Sequence, residues 1–398
     1  MAPLVIHAER ALTPLEEIRD AILVVEGQKI AAIGRRGEIA VPAGAQVYDA
    51  RGTTLVPGFV DVHIHGAGGH DVMEGEEAAL QAVAATVARR GTTSLVATTV
   101  TAGEDRLCRS VEAIAQYIAR HRDHPPRALP VAEILGIHLE GPFINPARRG
   151  VHPSEWIAPP SVQMLRRVLA AANGTGRILT LAPELPGALD LIAAARREGV
   201  LVAMGHTDAT YAETLAAIHT GARHAVHVFN AMRPFSHRET GVLGAVLTSP
   251  DVTAELIADG IHVDAAAMRL LLTAKGIDRV LLVSDGTAAL GVPDGQYRLG
   301  TFEVTVSGGV CRNAEGRLAG STLTLDRALR NIVALDVPLA QAVQMLTLNP
   351  ARLLGLQERK GVLAPGADAD LVLLDADLQV AGVITRGVGF SGAAGLAD

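Results

Sequence analysis

Eight short apolar runs recur through the middle of this chain, each ending in or near a polar residue or glycine. They are FVDVHIH (59–65), SLVATTV (94–100), EILGIHLEG (133–141), RILTLAPE (177–184), VLVAMGHT (200–207), HAVHVFN (224–230), AELIADG (254–260) and RVLLVSDG (279–286). Helix-length stretches separate most of them, such as EEAALQAVAATVARR (76–90), SVQMLRRVLAAA (161–172) and TYAETLAAIHTG (210–221). Near-continuous apolar strands alternating with helices require a parallel sheet covered on both faces. Eight such units predict a closed, TIM-like (β/α)8 barrel in an α/β protein. The competing arrangement is a doubly wound open sheet, which normally carries a GxGxxG turn after its first strand. No such turn follows FVDVHIH.

The flanks read differently. LVIHAERALTP, AILVVEGQKIAAIG and AQVYDARGTTLVP near the start, and GVLAPGADADLVLLDADLQVAGVITRG (361–387) near the end, alternate apolar and polar residues and are split by Gly and Pro. They predict a small β-sandwich built from residues 1–54 and 355–398, around a catalytic barrel at 55–354. With 49% hydrophobic and 19% charged residues among 398, the chain reads as well cored rather than disordered. Only 3% is aromatic, the net charge is −7 and no basic run is present, so a nucleic-acid partner is not expected. One small phosphate remains compatible with that charge. No apolar run reaches membrane-spanning length, and the N-terminus lacks the order of a signal peptide. Cys108 and Cys311 form no CxxC pair and read as small hydrophobes in a reducing compartment. A soluble cytoplasmic protein is expected.

The unusual residues sort to one place. His63, His65, Glu140, His206, His227 and Asp285 all fall at or near the C-terminal ends of the apolar runs. In a barrel those ends converge on the mouth where active sites are built. His63 and His65, two apart on a strand, point the same way. A carboxylate closing an apolar strand, as Glu140 does, is costly unless it meets a cation or hydrogen-bond donors. Each residue alone reads as a hydrogen-bonded strand end; six together read as a metal site. Imidazoles and carboxylates without thiolate suit Zn²⁺ first, with Fe²⁺, Mn²⁺ or Co²⁺ as alternatives. The only lysines, Lys29, Lys275 and Lys360, lie away from these ends, so no bridging lysine is expected and Glu140 is the substitute.

Other candidates read more plainly. His138 shares the strand parity of Glu140 and reads as a buried, hydrogen-bonded histidine. His7, His121, His124 and His219 read as surface, and Arg148 and Arg149 as loop charge. No GxSxG elbow is present, which argues against a serine hydrolase. GSTL (320–323) suits a helix start with Ser321 as N-cap.

The strings around these residues carry a resemblance. PGFVDVHIHGAGGHDV (57–72), GIHLEGPFINPARRGVH (136–152), MGHTDATY (204–211), HVFNAMRPFSHRETG (227–241), ADGIHV (258–263), VSDGTAALG (283–291) and LAGSTLTLDRAL (318–329) resemble the N-acetylglucosamine-6-phosphate deacetylase family of the amidohydrolase superfamily. LTLNPARLLGL (346–356) and KGVLAPGADADLVLLD (360–375) also suit other amidohydrolases. The resemblance covers essentially the whole chain. Departures such as Gly286 and Thr240 touch no proposed ligand.

The resemblance implies roles. Glu140, His206 and His227 look like ligands of the main divalent ion, and His63 and His65 leave a second ion open. Asp285 looks like the general acid/base. Val151, His152, Asn230, Ala231, Asp259, His262, Leu318, Ala319 and Gly320 look like substrate-binding elements. Arg238 looks like the phosphate anchor, which in the family reaches across a homodimer interface. The implied reaction is hydrolysis of the N-acetyl amide, with a metal-activated water as nucleophile. His152 or His262 is then the donor to the developing oxyanion or to a sugar hydroxyl. The galactosamine epimer, another small amide and a catalytically silent barrel are the alternatives.

Overall fold

A computed structural model describes residues 2–14, 16–123, 126, 129–300 and 302–389. His124 lies outside the described residues. Four N-terminal strands, β1 (Leu4–Leu12), β2 (Glu17–Glu26), β3 (Lys29–Arg35) and β4 (Gln46–Pro57), come first. Then follow β5 (Phe59–Ile64) and a two-residue hairpin, β6 (Gly66–Ala67) and β7 (His70–Asp71). From there strands and helices alternate: α1 (Glu77–Ala88), β8 (Thr92–Thr99), α2 (Glu104–His121), β9 (Glu133–Glu140), α3 (Val162–Ala172) and β10 (Gly176–Leu181). The series continues with α4 (Ala188–Arg197), β11 (Leu201–Met204), α5 (Tyr211–Thr220), β12 (His224–Ala225), α6 (Gly241–Thr248), β13 (Thr253–Leu256), α7 (Ala265–Lys275) and β14 (Val280–Leu282).

Every one of the eight apolar runs overlaps a strand of one parallel sheet, ordered β5-β8-β9-β10-β11-β12-β13-β14. The ends of that sheet meet. The Asp285 N–H donates to the His63 carbonyl at 2.9 Å, and Ile64 bridges Gly286 in parallel. Buried Leu95, Ile137, Leu179, Val202 and Leu281 belong to a core shared with the inner faces of the helices. The helices start where the sequence places caps: the Ser161 hydroxyl accepts from Met164 N on α3, and Thr210 with Glu213 forms a capping box on α5.

Both chain ends share a second sheet. With β18 (Leu371–Leu374) and β19 (Val380–Ile384) its order is β19-β18-β4-β1-β2-β3. Alternation along β1 and β2 covers both faces: Ile6 and Leu23 join one apolar cluster, Val5, Ile22 and Val24 the other. The chain passes from this sheet into the barrel through Gly58 alone, where a Cβ would sit 2.0 Å from the Thr93 hydroxyl.

Two features depart from the sequence reading. A three-stranded antiparallel sheet, β15 (Gly295–Leu299), β16 (Phe302–Ser307) and β17 (Val310–Asn313), lies between β14 and α8 (Leu325–Val333). Its alternation in QYRLGTFEVTVSGGVCRN is a strand signature that the barrel reading passes over. Ser321 is not the N-cap of α8; that position is Thr324. Ser321 instead donates to the Ser284 carbonyl and accepts from Leu323 N, tying the α8 approach to the end of β14. His219 is exposed as expected, whereas His7 and His121 are half-buried. Two short helices, α9 (Leu339–Leu346) and α10 (Leu348–Leu353), lie between α8 and β18.

A buried ion cluster joins the two sheets. The Lys360 ammonium lies 2.5 Å from Asp370, 2.6 Å from Glu133 at the start of β9, and 2.9 Å from Asp368. Arg359 reaches Glu133 and Asp368 at 2.6 and 3.0 Å. Burial opposes ionisation of Glu133, but Lys360, Arg359 and Arg386 hold its pKa at about 2 against an ordinary 4.5. Its contribution to stability is therefore complete above pH 4.5 and is lost as pH falls toward 2. The stability gap between wild type and Glu133→Gln should shrink over that window in urea titrations; a constant gap would contradict the pairing. Lys360→Met, which leaves three buried carboxylates short of a counter-charge, should cost about 3–5 kcal/mol at neutral pH.

Candidate metal-binding active site

The centre of the site is one carboxylate. Glu140 ends β9 and is 2% exposed. Five imidazole Nε2 atoms surround it: His227 at 3.0 Å, His206 at 3.1 Å, and His63, His65 and His152 each at 3.3 Å. His206 and His227 Nε2 also stand 3.1 Å from each other. Asp285 Oδ1 lies 3.2 Å from His65 Nε2 and 3.7 Å from His63 Nε2. Apart from His152, which lies in the loop after β9, each of these residues sits at or just past a barrel strand end, the expected location for barrel chemistry.

Partners on the far nitrogens set the tautomers. His65 Nδ1 faces the Thr98 carbonyl at 3.0 Å, and His206 Nδ1 faces the Arg148 carbonyl at 3.0 Å. A carbonyl only accepts, so both Nδ1 atoms carry hydrogen and both Nε2 atoms present a lone pair inward. His63 Nδ1 meets the Glu255 carboxylate at 2.8 Å, with the same consequence. His152 is the opposite case. The Thr101 backbone N–H donates to its Nδ1 at 3.2 Å, so the hydrogen of the neutral ring is on Nε2 and points into the site. Three rings, His63, His65 and His206, are thus arranged around Glu140 as acceptors or ligands, and His152 as a donor.

This donor set fits a divalent metal ion. Two imidazole Nε2 atoms 3.1 Å apart, and a buried His63 Nε2 without a hydrogen-bond partner, suit a cation among them. Among the described residues His63, Glu140 and His227 form one group with metal-holding geometry, His63, His65 and Asp285 a second, Glu140, His152 and His206 a third, and His63, His138 and Glu255 a fourth. The electrostatics agree. Burial opposes a charged His65, but Asp285 and Glu140 raise its pKa to about 9. Burial likewise opposes ionisation of Glu140, which His63 and His206 nevertheless hold well below the usual carboxylate range. The pocket wants positive charge, and protons and a metal ion compete for the same lone pairs.

A cavity of about 190 Å³ opens above these groups. Val151, Asn230, Ala231, His262, Leu318 and Gly320 line it beside His65, Glu140, His152, His206, His227 and Asp285. Leu299 of β15 and Val100 line it too and were not singled out in the sequence. His63 lies fully buried behind the cavity. Asp259 holds the His262 ring at 2.6 Å, and Ala319 is buried behind the lining. Arg238 is exposed, on a loop closed by the Ser236–Glu239 bridge, and does not line the cavity. Arg148 and Arg149 are engaged: Arg148 pairs with Asp208 at 2.7 Å, and Arg149 donates to the His152 carbonyl. Both nitrogens of His138 are taken, by the Val62 carbonyl and the Thr180 hydroxyl. None of the three lysines is at the site; Lys275 donates to Val246 and Ser249 carbonyls, and Lys29 pairs with Asp368.

Glu255 of β13 is the residue that sequence reasoning passed over. Its carboxylate accepts from His63 Nδ1, from the His227 backbone N–H at 3.0 Å, and meets His224 Nε2 at 2.9 Å. The clue was available: a carboxylate inside the apolar run AELIADG carries the same cost as Glu140. Backbone strain gathers here as well. His206, His227, Phe229, Ala231 and Asp285 all have positive φ, between 29° and 81°.

The fold and the site together define a class, a (β/α)8-barrel hydrolase whose donor set suits a divalent cation. The amidohydrolase family model matches residues 54–389, and the chain belongs to that family, which is generally metal-dependent. It is 35% identical to the N-acetylglucosamine-6-phosphate deacetylase of Bacillus subtilis (strain 168), over 94% of each chain. It is 39% identical to the N-acetylgalactosamine-6-phosphate deacetylase of Escherichia coli O157:H7, over 96% of this chain and 98% of that one. Among solved structures it matches a Mycobacterium smegmatis N-acetyl-D-glucosamine-6-phosphate deacetylase variant in complex with N-acetyl-D-glucosamine-6-phosphate. There the TM-score is 0.90 and the identity 39%, over 98% of this chain and 99% of that one.

Glu140→Gln and His206→Asn should each lower the divalent metal retained per chain roughly tenfold or more, beyond what loss of an outer partner costs at its mildest. Plasma emission spectrometry after dialysis reads this directly. Wild-type metal content in either variant would contradict the assignment of the centre.

Proposed function

We propose that the chain hydrolyses the N-acetyl amide of N-acetyl-D-glucosamine 6-phosphate to D-glucosamine 6-phosphate and acetate. The observation that carries this reading is the convergence of imidazole lone pairs and Asp285 on Glu140 at the floor of a cavity of about 190 Å³. Likeness to deacetylases of phosphorylated amino sugars supplies the substrate class.

Glu140, His206 and His227 would hold the main divalent ion, Zn²⁺ in the first instance, and His63 and His65 would hold a second. Such an ion supplies polarisation of the amide carbonyl and acidification of water. The chain's own groups do the rest. Burial opposes ionisation of Asp285, but His65 and His63 keep it anionic, ready to take the proton of the attacking water. As the C–N bond breaks, Asp285 gives that proton to the departing amine, and acetate carries the new C–O bond. His152, with its Nε2–H directed inward, donates to the carbonyl oxygen as negative charge grows on it. His262, held by Asp259, faces the sugar hydroxyls together with Asn230 and Ala231. Val151, Leu318 and Gly320 form the walls, and Ala319 backs them.

Arg238 is assigned to the phosphate. It is exposed and does not line this chain's cavity, and the family resemblance supports a role for it in the site of a partner subunit in a homodimer. The second reading, N-acetylgalactosamine 6-phosphate as substrate, is favoured by the 39% identity to the Escherichia coli enzyme.

Acetate release should be compared for both phosphorylated epimers and for unphosphorylated N-acetylglucosamine, before and after chelation. Turnover confined to the glucosamine 6-phosphate, lost on chelation and restored by metal, is expected. Preference for the galactosamine epimer would establish the second reading, and equal turnover without phosphate would remove the role of Arg238. Asp285→Asn should lower kcat by roughly 10²–10⁴-fold with KM little changed. Arg238→Ala should instead raise KM for the phosphorylated sugar and leave kcat close to wild type.

A further inference from the structure

Glu255 is fully buried and does not line the cavity, yet it touches both halves of the metal-binding centre. Its Oε2 accepts from His63 Nδ1 at 2.8 Å and from the His227 backbone N–H at 3.0 Å. Its Oε1 meets His224 Nε2 at 2.9 Å, and His224 Nδ1 meets the Thr253 hydroxyl at 2.7 Å. These bonds leave His63 Nε2 as a buried atom with no hydrogen-bond partner, aimed at Glu140 and Asp285.

We infer that Glu255 is the positioning residue that makes the second cation position available, by fixing the His63 tautomer and ring through its Nδ1. This rests on the reading of His63 and His65 as ligands. The two nitrogens of an imidazole are linked through one ring. A hydrogen held on Nδ1 by an anion leaves Nε2 as the lone-pair nitrogen and makes it a stronger donor to a metal. Without that anion the Nδ1 hydrogen loses its acceptor, and the ring is free to carry hydrogen on Nε2 instead. With His63 read as a ligand of the second ion, the effect on the main position is smaller. There Glu255 reaches only the backbone of His227, whose side chain is placed by the positive-φ turn after β12. His206, the other ring at that position, is set by the Arg148 carbonyl and has no bond to Glu255. The dependence on Glu255 is therefore asymmetric. One ion relies on it through a side chain, and the other only through a backbone N–H.

The test is metal stoichiometry and affinity, which do not depend on the substrate. Metal-free full-length protein is titrated with Zn²⁺ against a chromophoric competitor, and with Co²⁺ for its visible spectrum. Wild type should take up two ions per chain. Glu255→Gln, close in shape but uncharged, should keep the first ion and bind the second roughly 10–100-fold more weakly, losing the matching Co²⁺ bands. His63→Asn should lose the same ion, and adding Glu255→Gln to it should change nothing further. Glu255→Asp, which retains the charge on a shorter arm, should fall between the two and serves if Glu255→Gln does not fold. Two ions at wild-type affinity in Glu255→Gln, equal weakening of both ions, or additive losses in the double variant would each overturn the inference. Uptake of a single ion by wild type would also overturn it, while leaving the deacetylase reading standing if acetate release persists.

Discussion

A buried negative charge organises this molecule. Glu140 sits at the end of an apolar strand with five imidazole nitrogens within 3.3 Å. A carboxylate in that position is stable only when matched by positive charge and donors. The surrounding rings are aimed by the barrel itself: the Thr98 and Arg148 carbonyls and Glu255 turn lone pairs inward, whereas the Thr101 N–H turns a hydrogen inward. Ligand and donor roles are thus separated among chemically identical side chains by what lies behind each ring.

That arrangement depends on rigid surroundings. The strained backbone at His206, His227 and Asp285 persists because neighbouring strands over-determine it. Asp285, for example, is pinned by its N–H to the His63 carbonyl and by its own carbonyl to Ser321 N at 2.7 Å. Gly320 permits the last of these, since a Cβ there would stand 2.8 Å from the Asp285 carbonyl oxygen. At the other end of β9 the Lys360 cluster joins the barrel to the terminal sheet. One strand therefore carries a structural ion cluster at its start and the chemical centre at its end.

Much of this was legible because it obeys periodicity. Apolar runs of 7–9 residues identified every barrel strand, even β12, where only His224 and Ala225 keep strand geometry before the chain turns. Strand ends identified Glu140, His206, His227 and Asp285, since a polar group closing an apolar run needs a reason. The misses share a cause. Ser321 has the residue type of an N-cap, but a tertiary bond to Ser284 claims its hydroxyl and the helix starts later. Glu255 lies within its run rather than at its end, so the rule that found Glu140 passed it by. Arg238 depends on what an exposed loop faces, which one chain's pattern does not encode.

Anomalous X-ray diffraction from metal-loaded crystals tests the central claim most directly. The account predicts an ion bonded to Glu140 and to Nε2 of His206 and His227, at roughly 2.0–2.2 Å from each. A second peak is predicted beside His63 and His65 Nε2, with His152 donating nearby but not coordinating. Metal elsewhere in the molecule, with these rings still hydrogen-bonded to Glu140, would contradict it.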